Sequence, residues 1–278
     1  GHECVVLSRQ RHPAAAGISF VQSLDEIADE DVIDAVINLA GASLADKRWS
    51  PRYKDTIVSS RLDTTRDLVG LCKRLARAPA VFISGSAIGY YGSRGDEALE
   101  EGASAGEGFS SQLCQQWEQA AGEVSETGAR LCIIRLGVVL DREGGAFTEM
   151  SRSFRLGVAS WMGTGGQYLS WIHRQDAVAA ILFLLQDDSL AGVFNLTSPQ
   201  PVSNREFCEG LKKQLRTLVT LPLPGPVMRV LVGEMADELL LGGQRVLPGR
   251  LQQSGFEFQY PGLDEALARL VQGDRVGG

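Results

Sequence analysis

The apolar positions of this chain fall into short runs separated by segments with helical spacing. Mainly apolar runs occur at residues 4–7, 35–39, 81–83, 131–136 and 193–196. Such runs are typical of strands buried on both faces, as in a parallel sheet. We expect the first four runs to be neighbouring parallel strands of one sheet.

Helical patterns lie between these runs. Ser50 and Pro51 predict a helix start, because serine is a favoured cap and proline suits the first helical position. This helix is predicted to continue to residue 77, and apolar spacing predicts further helices at residues 110–128, 147–156 and 175–186. The alternation of strands and helices up to residue 196 predicts an α/β fold with a Rossmann-like, doubly wound parallel sheet.

The chain changes character after residue 196. A capping box at Ser203 and Glu206 predicts the first of several helices in this part. We therefore predict two domains: a dinucleotide-binding domain at residues 1–196 and a smaller, mainly helical domain on the substrate side at residues 197–278. Residues 146–170 are expected to contribute to the substrate cleft.

Charge and composition narrow the class of protein. The net charge of −7, without a basic block, argues against nucleic-acid binding. The longest apolar run, residues 177–185, is too short to cross a membrane. Five scattered cysteines predict reduced thiols and a cytoplasmic protein, and three distant histidines predict no metal site. We expect the binding partner to be a small-molecule substrate. Whether the protein also forms a homodimer stays open.

The stretch V-F-I-S-G-S-A-I-G-Y-Y-G at residues 81–92 holds the densest candidate chemistry. A buried strand leads into small residues, which let a ligand approach the backbone closely. Hydroxyl groups then follow at the carboxyl end of the strand, where open α/β sheets bind ligands. A core strand that simply ends in a packed Ser/Gly turn is the alternative interpretation.

Four of the predicted strands end in residues suited to a ligand. These residues are Ser8 and Arg9, then Leu39, Ala40 and Gly41, then Ser84 and Gly85, then Gly137 and Val138. The carboxyl ends of parallel strands share one edge of a sheet, so we predict that these residues bind a dinucleotide. Arg9 follows a strand where such sheets often carry an acidic residue for the ribose, and an arginine suits a 2′-phosphate instead. A solvated loop arginine is the alternative.

Four segments occur in the order seen in extended short-chain dehydrogenases/reductases: N-L-A-G, S-G-S-A-I-G-Y-Y-G, R-L-G-V-V-L and W-I-H-R-Q-D. The whole chain resembles an uncharacterised branch described as nucleoside-diphosphate-sugar epimerase-like proteins. R-V-L-P followed by G-F-E-F near the end resembles the C-terminal domain of that branch. Together with Arg9, the resemblance implies NADP as the cofactor, with NAD as the alternative.

The chain departs from the family pattern in two places. The family begins with a strand and a G-x-x-G-x-x-G turn that holds the pyrophosphate at a helix N-terminus, and nothing here matches it. We expect an N-terminal truncation of one βα unit, with a naturally shorter protein as the alternative. The family also uses Tyr-x-x-x-Lys, and an alignment on Glu118 places Ser110 and Cys114 at those two positions. Neither residue can replace a phenol and an ammonium group.

Other residues are candidates for the missing roles. Ser86 matches the family serine that hydrogen-bonds a substrate carbonyl, and we predict Ser86 and Tyr91 as catalytic residues. Packing under the cofactor is the alternative for the tyrosine. Arg152 and Arg155 are predicted to bind an anionic substrate, and His173 is predicted to line the cleft. A solvated helix face and a structural histidine are the respective alternatives.

Two functions from different classes follow. The first is an NADP-dependent oxidoreductase or epimerase of unknown substrate, in which Ser86 polarises the substrate. The second is a non-catalytic dinucleotide-binding sensor or regulatory protein, which the missing Tyr/Lys pair favours. A hydrolase is excluded, because a nucleophile elbow needs G-x-S-x-G and here Gly85 directly precedes Ser86.

Overall fold

A computed structural model describes residues 2–13 and 15–272 of the protein. Its strands are β1 (Cys4–Leu7), β2 (Ile18–Val21), β3 (Ala35–Asn38), β4 (Val81–Ala87), β5 (Ala98–Leu99), β6 (Arg130–Leu136), β7 (Val138–Leu140), β8 (Val158–Ala159), β9 (Tyr168–Leu169), β10 (Trp171–His173), β11 (Gly192–Leu196), β12 (Val202–Ser203), β13 (Val219–Thr220) and β14 (Arg245–Val246). Its α-helices are α1 (Pro51–Arg74), α2 (Phe109–Gly122), α3 (Gly145–Arg155), α4 (Arg174–Gln186), α5 (Asn204–Gln214), α6 (Gly225–Val232), α7 (Gly249–Gln253) and α8 (Leu263–Gln272). A π-helical segment, Ala236–Leu241, follows α6.

Four parallel strands form the central sheet, in the order β11-β6-β4-β3. Adjacent residues of β4 face opposite sides of this sheet: Phe82 packs against α1, whereas Ile83 packs against α4. Both side chains are completely buried. Helices on both faces explain why the strands are continuously apolar. The α/β, doubly wound fold class predicted from the sequence is confirmed.

The first strand departs from the prediction. β1 pairs in parallel with β2 in a separate two-stranded sheet, so the predicted set of neighbours is right for β3, β4 and β6 and wrong for β1. β1 and β3 each keep one edge without a hydrogen-bonded strand among the described residues. Apolar side chains beside these edges are exposed, with Val5 at 47%, Leu7 at 41% and Ile37 at 43%.

Gly137 separates β6 from β7. The Gly137 N–H donates to the Leu196 carbonyl of β11, whereas the next residue, Val138, donates to the carbonyl of Ser170. β7 therefore pairs with β10 instead of extending β6 along β11. A Cβ on Gly137 would lie 2.6 Å from the Ser170 carbonyl oxygen, so only glycine fits at this branch point.

The C-terminal part packs against the segment that follows β7. One core combines Phe147 and Phe154 of α3 with Phe207 of α5 and Leu267 of α8. This core crosses the predicted boundary between residues 196 and 197, and the two-domain division stays a prediction. The last six residues of the predicted C-terminal domain, 273–278, lie outside the described part of the chain.

Candidate active site at the carboxyl edge of the sheet

The carboxyl ends of β3 and β4 lie side by side. Asn38, the last residue of β3, is directly opposite Ser84. The Asn38 side chain accepts from the Ala40 N–H at 3.2 Å and donates to Thr65 at 2.8 Å, which fixes the turn after the strand. Leu39 is 54% exposed, and Gly41 is also exposed. The chain is therefore open to a ligand at residues 39–41.

Close packing explains why small residues occur in β4 and directly after β6. Ser84 is buried, and a Cβ on Gly85 would lie 3.1 Å from both the Asn38 carbonyl and the Trp117 ring. Gly137 is equally enclosed at the end of β6, and Val138 is half-buried. The cofactor contacts predicted for these four residues stay a prediction.

Ser8 and Arg9 lie at the end of β1, in the separate two-stranded sheet. The Ser8 hydroxyl accepts from the Gln10 N–H at 3.2 Å, which organises the turn after this strand. The Arg9 side chain is exposed, and within residues 2–13 and 15–272 no ion pair involves it. Its guanidinium is therefore available to an anion.

A row of three buried polar residues crosses the sheet. Ser86 of β4 is directly opposite Arg135 of β6, and Arg135 is directly opposite Asn195 of β11. Their exposed fractions are 2%, 3% and 0%. The sequence analysis did not single out Arg135 or Asn195, although a polar residue inside each otherwise apolar run was a signal for them.

Glu118 of α2 links Ser86 and Arg135. The Arg135 guanidinium donates two hydrogen bonds of 2.8 Å to the two carboxylate oxygens. The Ser86 hydroxyl donates to Glu118 Oε1 at 2.6 Å. Burial by itself would lower the pKa of Arg135, but the hydrogen bonds and charge of Glu118 outweigh it and raise that pKa above its ordinary value. Arg135 and Glu118 thus form a bidentate, buried ion pair.

Tyr91 joins this hydrogen-bond network through its hydroxyl group. Its hydroxyl donates to Asn195 Oδ1 at 2.7 Å and accepts from Arg135 Nη1 at 3.0 Å, and the residue is completely buried. Burial raises the pKa of the Tyr91 phenol, although Arg135 opposes the rise. The neighbouring Tyr90 ring lies under the Arg135 guanidinium at 3.3 Å. The catalytic role of Tyr91 stays a prediction, and this geometry favours the packing alternative.

The face of α2 that carries Ser110 and Cys114 packs against the turn after β4. A Cβ on Gly89 would lie 3.1 Å from Ser110 Cβ and 3.9 Å from Cys114 Sγ. Cys114 is buried next to Ser86, and burial raises the pKa of its thiol to about 11. The two residues thus face the same site as Ser86, and neither supplies an acid or base that titrates near neutral pH.

The predicted substrate residues lie apart from this network. His173 is buried, its Nδ1 accepts from the Gln175 N–H at 3.2 Å, and its ring lies 4.1 Å from that of Tyr260. Burial lowers the pKa of His173, so the imidazole is neutral and caps α4. Arg152 and Arg155 are exposed in the last turn of α3. Substrate contact by these three residues stays a prediction.

Membrane helices, metal sites and cysteine chemistry are the remaining features of the described residues. No helix among the described residues is long and apolar enough to cross a membrane. Those residues also include no group of three or more His, Cys, Asp or Glu side chains that could hold a metal ion. All five cysteines are free thiols; Cys4 is exposed and the other four are buried.

Comparison with known families identifies the class of protein. Residues 1–197 match the NAD dependent epimerase/dehydratase family, and residues 223–270 match a domain of unknown function, DUF1731. The chain belongs to the NAD dependent epimerase/dehydratase family. The resemblance inferred from the sequence motifs is confirmed.

Individual relatives cover most of the chain. Epimerase family protein MT2273 of Mycobacterium tuberculosis is 40% identical over 235 residues, which are 84% of this chain and 77% of that protein. The crystal structure of human epimerase family protein SDR39U1 (isoform 2) with NADPH gives a TM-score of 0.89 at 30% identity and covers 98% of this chain and 92% of that one. The nucleoside-diphosphate sugar epimerase of Corynebacterium glutamicum gives a TM-score of 0.76 at 28% identity, over 95% of this chain and 52% of that one.

Proposed function

We propose that this protein is an NADP-binding, epimerase-like oxidoreductase that acts on a small molecule. The observation that carries the proposal is the shared carboxyl edge of β3 and β4, where the open turn at residues 39–41 lies beside the strand end that presents Ser86. Ligands of open α/β sheets bind at this edge. The human relative of known structure was crystallised with NADPH, which supports the choice of cofactor.

The residues fit a dinucleotide at two points. The exposed turn at residues 39–41 leaves backbone and the apolar Leu39 side chain accessible to it. The exposed Arg9 guanidinium, at the end of β1, would hold the 2′-phosphate through a planar set of donors, which a ribose hydroxyl cannot match. NADP is therefore preferred to NAD in this proposal.

The bound nicotinamide would supply the hydride chemistry, and the protein would orient the substrate. Glu118 holds Ser86 in one rotamer, and the hydrogen bonds from Arg135 hold Glu118 in place. A substrate oxygen could receive the Ser86 proton only if that hydroxyl turned away from Glu118. Ser86 would therefore polarise the substrate only after this change of rotamer.

A non-catalytic dinucleotide sensor is the second candidate function. The observation that favours it is that the Ser86 hydroxyl already donates its proton to Glu118. In addition, the alignment on Glu118 places Ser110 and Cys114 where the family has its tyrosine and lysine. Such a protein would bind the dinucleotide but would not turn over. Catalysis and binding must therefore be measured separately.

NADPH oxidation against a panel of aldehydes and ketones tests the two candidates. The enzyme hypothesis predicts turnover with at least one substrate, a loss of about 10²-fold in Ser86→Ala as for other preorganised donors, and no change in Ser59→Ala, an exposed control on α1. NADPH binding without turnover on any substrate would favour the sensor.

A further inference from the structure

Arg61 of α1 carries a guanidinium group to which the proposed function assigns no role. This group lies against the turn that follows β3: a Cβ on Gly41 would lie 2.8 Å from Arg61 Cζ, 3.1 Å from its Nε and 3.0 Å from its Nη2. Gly41 is exposed, whereas Arg61 is half-buried. The guanidinium is therefore part of the wall of the open turn at residues 39–41.

Main-chain carbonyls fix one end of this guanidinium. Arg61 Nη1 donates to the Ala42 carbonyl at 3.0 Å and to the Ile57 carbonyl at 3.1 Å. The Arg61 Cζ also lies 5.2 Å from the centre of the Trp117 ring, which attracts the cation. The Ser60 hydroxyl holds the turn in place by accepting from the Ala42 N–H at 2.9 Å. The side chain is thus held in one orientation before a ligand binds.

The other edge of the guanidinium, formed by Nε and Nη2, is free. Among the described residues, neither nitrogen donates a hydrogen bond to the protein, and no carboxylate forms an ion pair with Arg61. Both nitrogens keep contact with solvent. In Arg135 the same two nitrogens hold the two oxygens of Glu118, each at 2.8 Å. The free edge of Arg61 is therefore the part of an arginine that binds a carboxylate or phosphate through two parallel hydrogen bonds.

The positive charge of Arg61 lacks a counter-charge in the described part of the chain. Burial lowers the pKa of Arg61, and the groups that oppose this effect are the thiol of Cys114 and the phenol of Tyr53, not a carboxylate. An arginine stays protonated in proteins even so. A half-buried charge without a counter-charge costs free energy, and an anionic ligand would offset this cost.

Cys114 connects Arg61 with the Ser86 site. Burial raises the pKa of the Cys114 thiol to about 11, and a hydrogen bond with Ser86 and the charge of Arg61 both oppose the rise. The serine and the arginine therefore act on the same thiol. The alignment on Glu118 places Cys114 where the family has its lysine, so α1 supplies a cation close to the position at which α2 lacks one.

We propose that Arg61 binds a carboxylate or phosphate group of the ligand at this edge of the sheet, through hydrogen bonds from Nε and Nη2 to two of its oxygens. The group belongs to the dinucleotide or to the substrate. The inference rests on the proposed function in placing a ligand at residues 39–41, but anion binding is measured without a dinucleotide. Failure to bind NADPH would contradict the proposed function and leave this inference standing.

Heteronuclear NMR detects the Arg61 Nε–H directly, and its loss in Arg61→Lys identifies the signal. In the protein without a dinucleotide, inorganic pyrophosphate and malonate should each shift this signal saturably, whereas chloride at equal ionic strength should not. The Nε–H of Arg66, exposed on the same helix, is the control. No shift with either anion, or a shift that Arg66 or chloride reproduces, would overturn the proposal.

Addition of NADPH distinguishes the two sources of the anion. If NADPH alone shifts the Arg61 signal and prevents the shift by pyrophosphate, the group is a phosphate of the dinucleotide. If malonate still shifts the signal at saturating NADPH, the group is a carboxylate of the substrate. Bound NADPH that leaves the signal unmoved and excludes both anions would overturn the assignment.

Variants separate anion binding from a structural role. Calorimetry should show that Arg61→Met binds pyrophosphate at least tenfold more weakly than wild type, because two charge-assisted hydrogen bonds are lost, and that Arg66→Met binds it equally well. Pyrophosphate should raise the thermal midpoint of wild type and of Arg66→Met but not of Arg61→Met. A rise that persists in Arg61→Met would mean that Arg61 is structural only. If Arg61→Met does not fold, Arg61→Lys decides, since it keeps the charge but not the paired donors: wild-type affinity for pyrophosphate would contradict the assignment.

Discussion

The hydroxyl of Ser86 donates a 2.6 Å hydrogen bond to the carboxylate of Glu118. The Arg135 guanidinium donates two more hydrogen bonds to the same carboxylate. A serine at the ligand edge of the sheet is thus positioned by a buried ion pair. The arrangement gives Ser86 one orientation in the free protein. It also places the hydroxyl beside a buried ion pair, since the same carboxylate is bound by Arg135.

Glu118→Gln should destabilise the fold strongly. The change leaves the Arg135 guanidinium buried without its counter-charge, which typically costs about 3–5 kcal/mol. Urea denaturation of the variant measures this loss as a lower midpoint. Glu257→Gln on the exposed surface is the control and should keep the wild-type midpoint. A loss below about 1 kcal/mol in Glu118→Gln, the range of surface ion pairs, would mean that the Arg135 site is open to water.

Tyr91→Phe should change stability more than ligand binding. The phenol bridges Asn195 and Arg135 inside the protein, and leaving both groups one hydrogen bond short costs about 1–3 kcal/mol. The NADPH dissociation constant should stay unchanged. The catalytic role predicted for Tyr91 would instead appear as a loss of turnover of about 10²-fold in a variant of wild-type stability.

Replacement of both Ser110 and Cys114 by alanine should leave kcat within a few-fold of wild type at saturating substrate. These residues face the site, but a serine hydroxyl and a thiol with a pKa of about 11 are poor acids and bases at neutral pH. Steady-state kinetics of the double variant gives the answer. A fall of ~10²-fold or more in kcat would reveal a general acid or base at one of the two positions.

Thiol labelling should separate Cys4 from the buried cysteines. Burial raises the pKa of Cys72 and Cys114 to about 11. At pH 8, well below this pKa, only about one in 10³ of these groups is thiolate, the reactive form. A disulfide reagent should label one thiol rapidly in the native protein, and Cys4→Ser should remove this phase. A rapid phase that persists in Cys4→Ser would place a reactive thiol elsewhere.

The sequence predicts the regular elements well where local signals agree. Ser50 caps α1 by accepting from the Tyr53 N–H at 3.2 Å, and Pro51 is the first helical residue, as expected. The central strands β4, β6 and β11 are largely buried, and their apolar runs indicate this directly. Pairing depends on distant partners instead, so the separate pairing of β1 with β2 left no mark in the apolar run itself.

The candidate site is harder to predict, because its groups come from distant parts of the chain. Ser86 was singled out from the sequence, whereas its relation to Arg135 exists only through the register of β4 and β6. Glu238 reaches the first turn of α2 from 128 residues away along the chain. Gly108, the N-cap residue of α2, has no side chain that could cap the helix. The sequence does not show which distant residue supplies the cap instead.

The preference for NADP over NAD is the central claim, and direct titration tests it. NADPH should bind more tightly than NADH by about 1–3 kcal/mol, and Arg9→Ala should abolish the difference. Equal affinity for NADPH and NADH, or a preference that survives Arg9→Ala, would contradict the role assigned to Arg9.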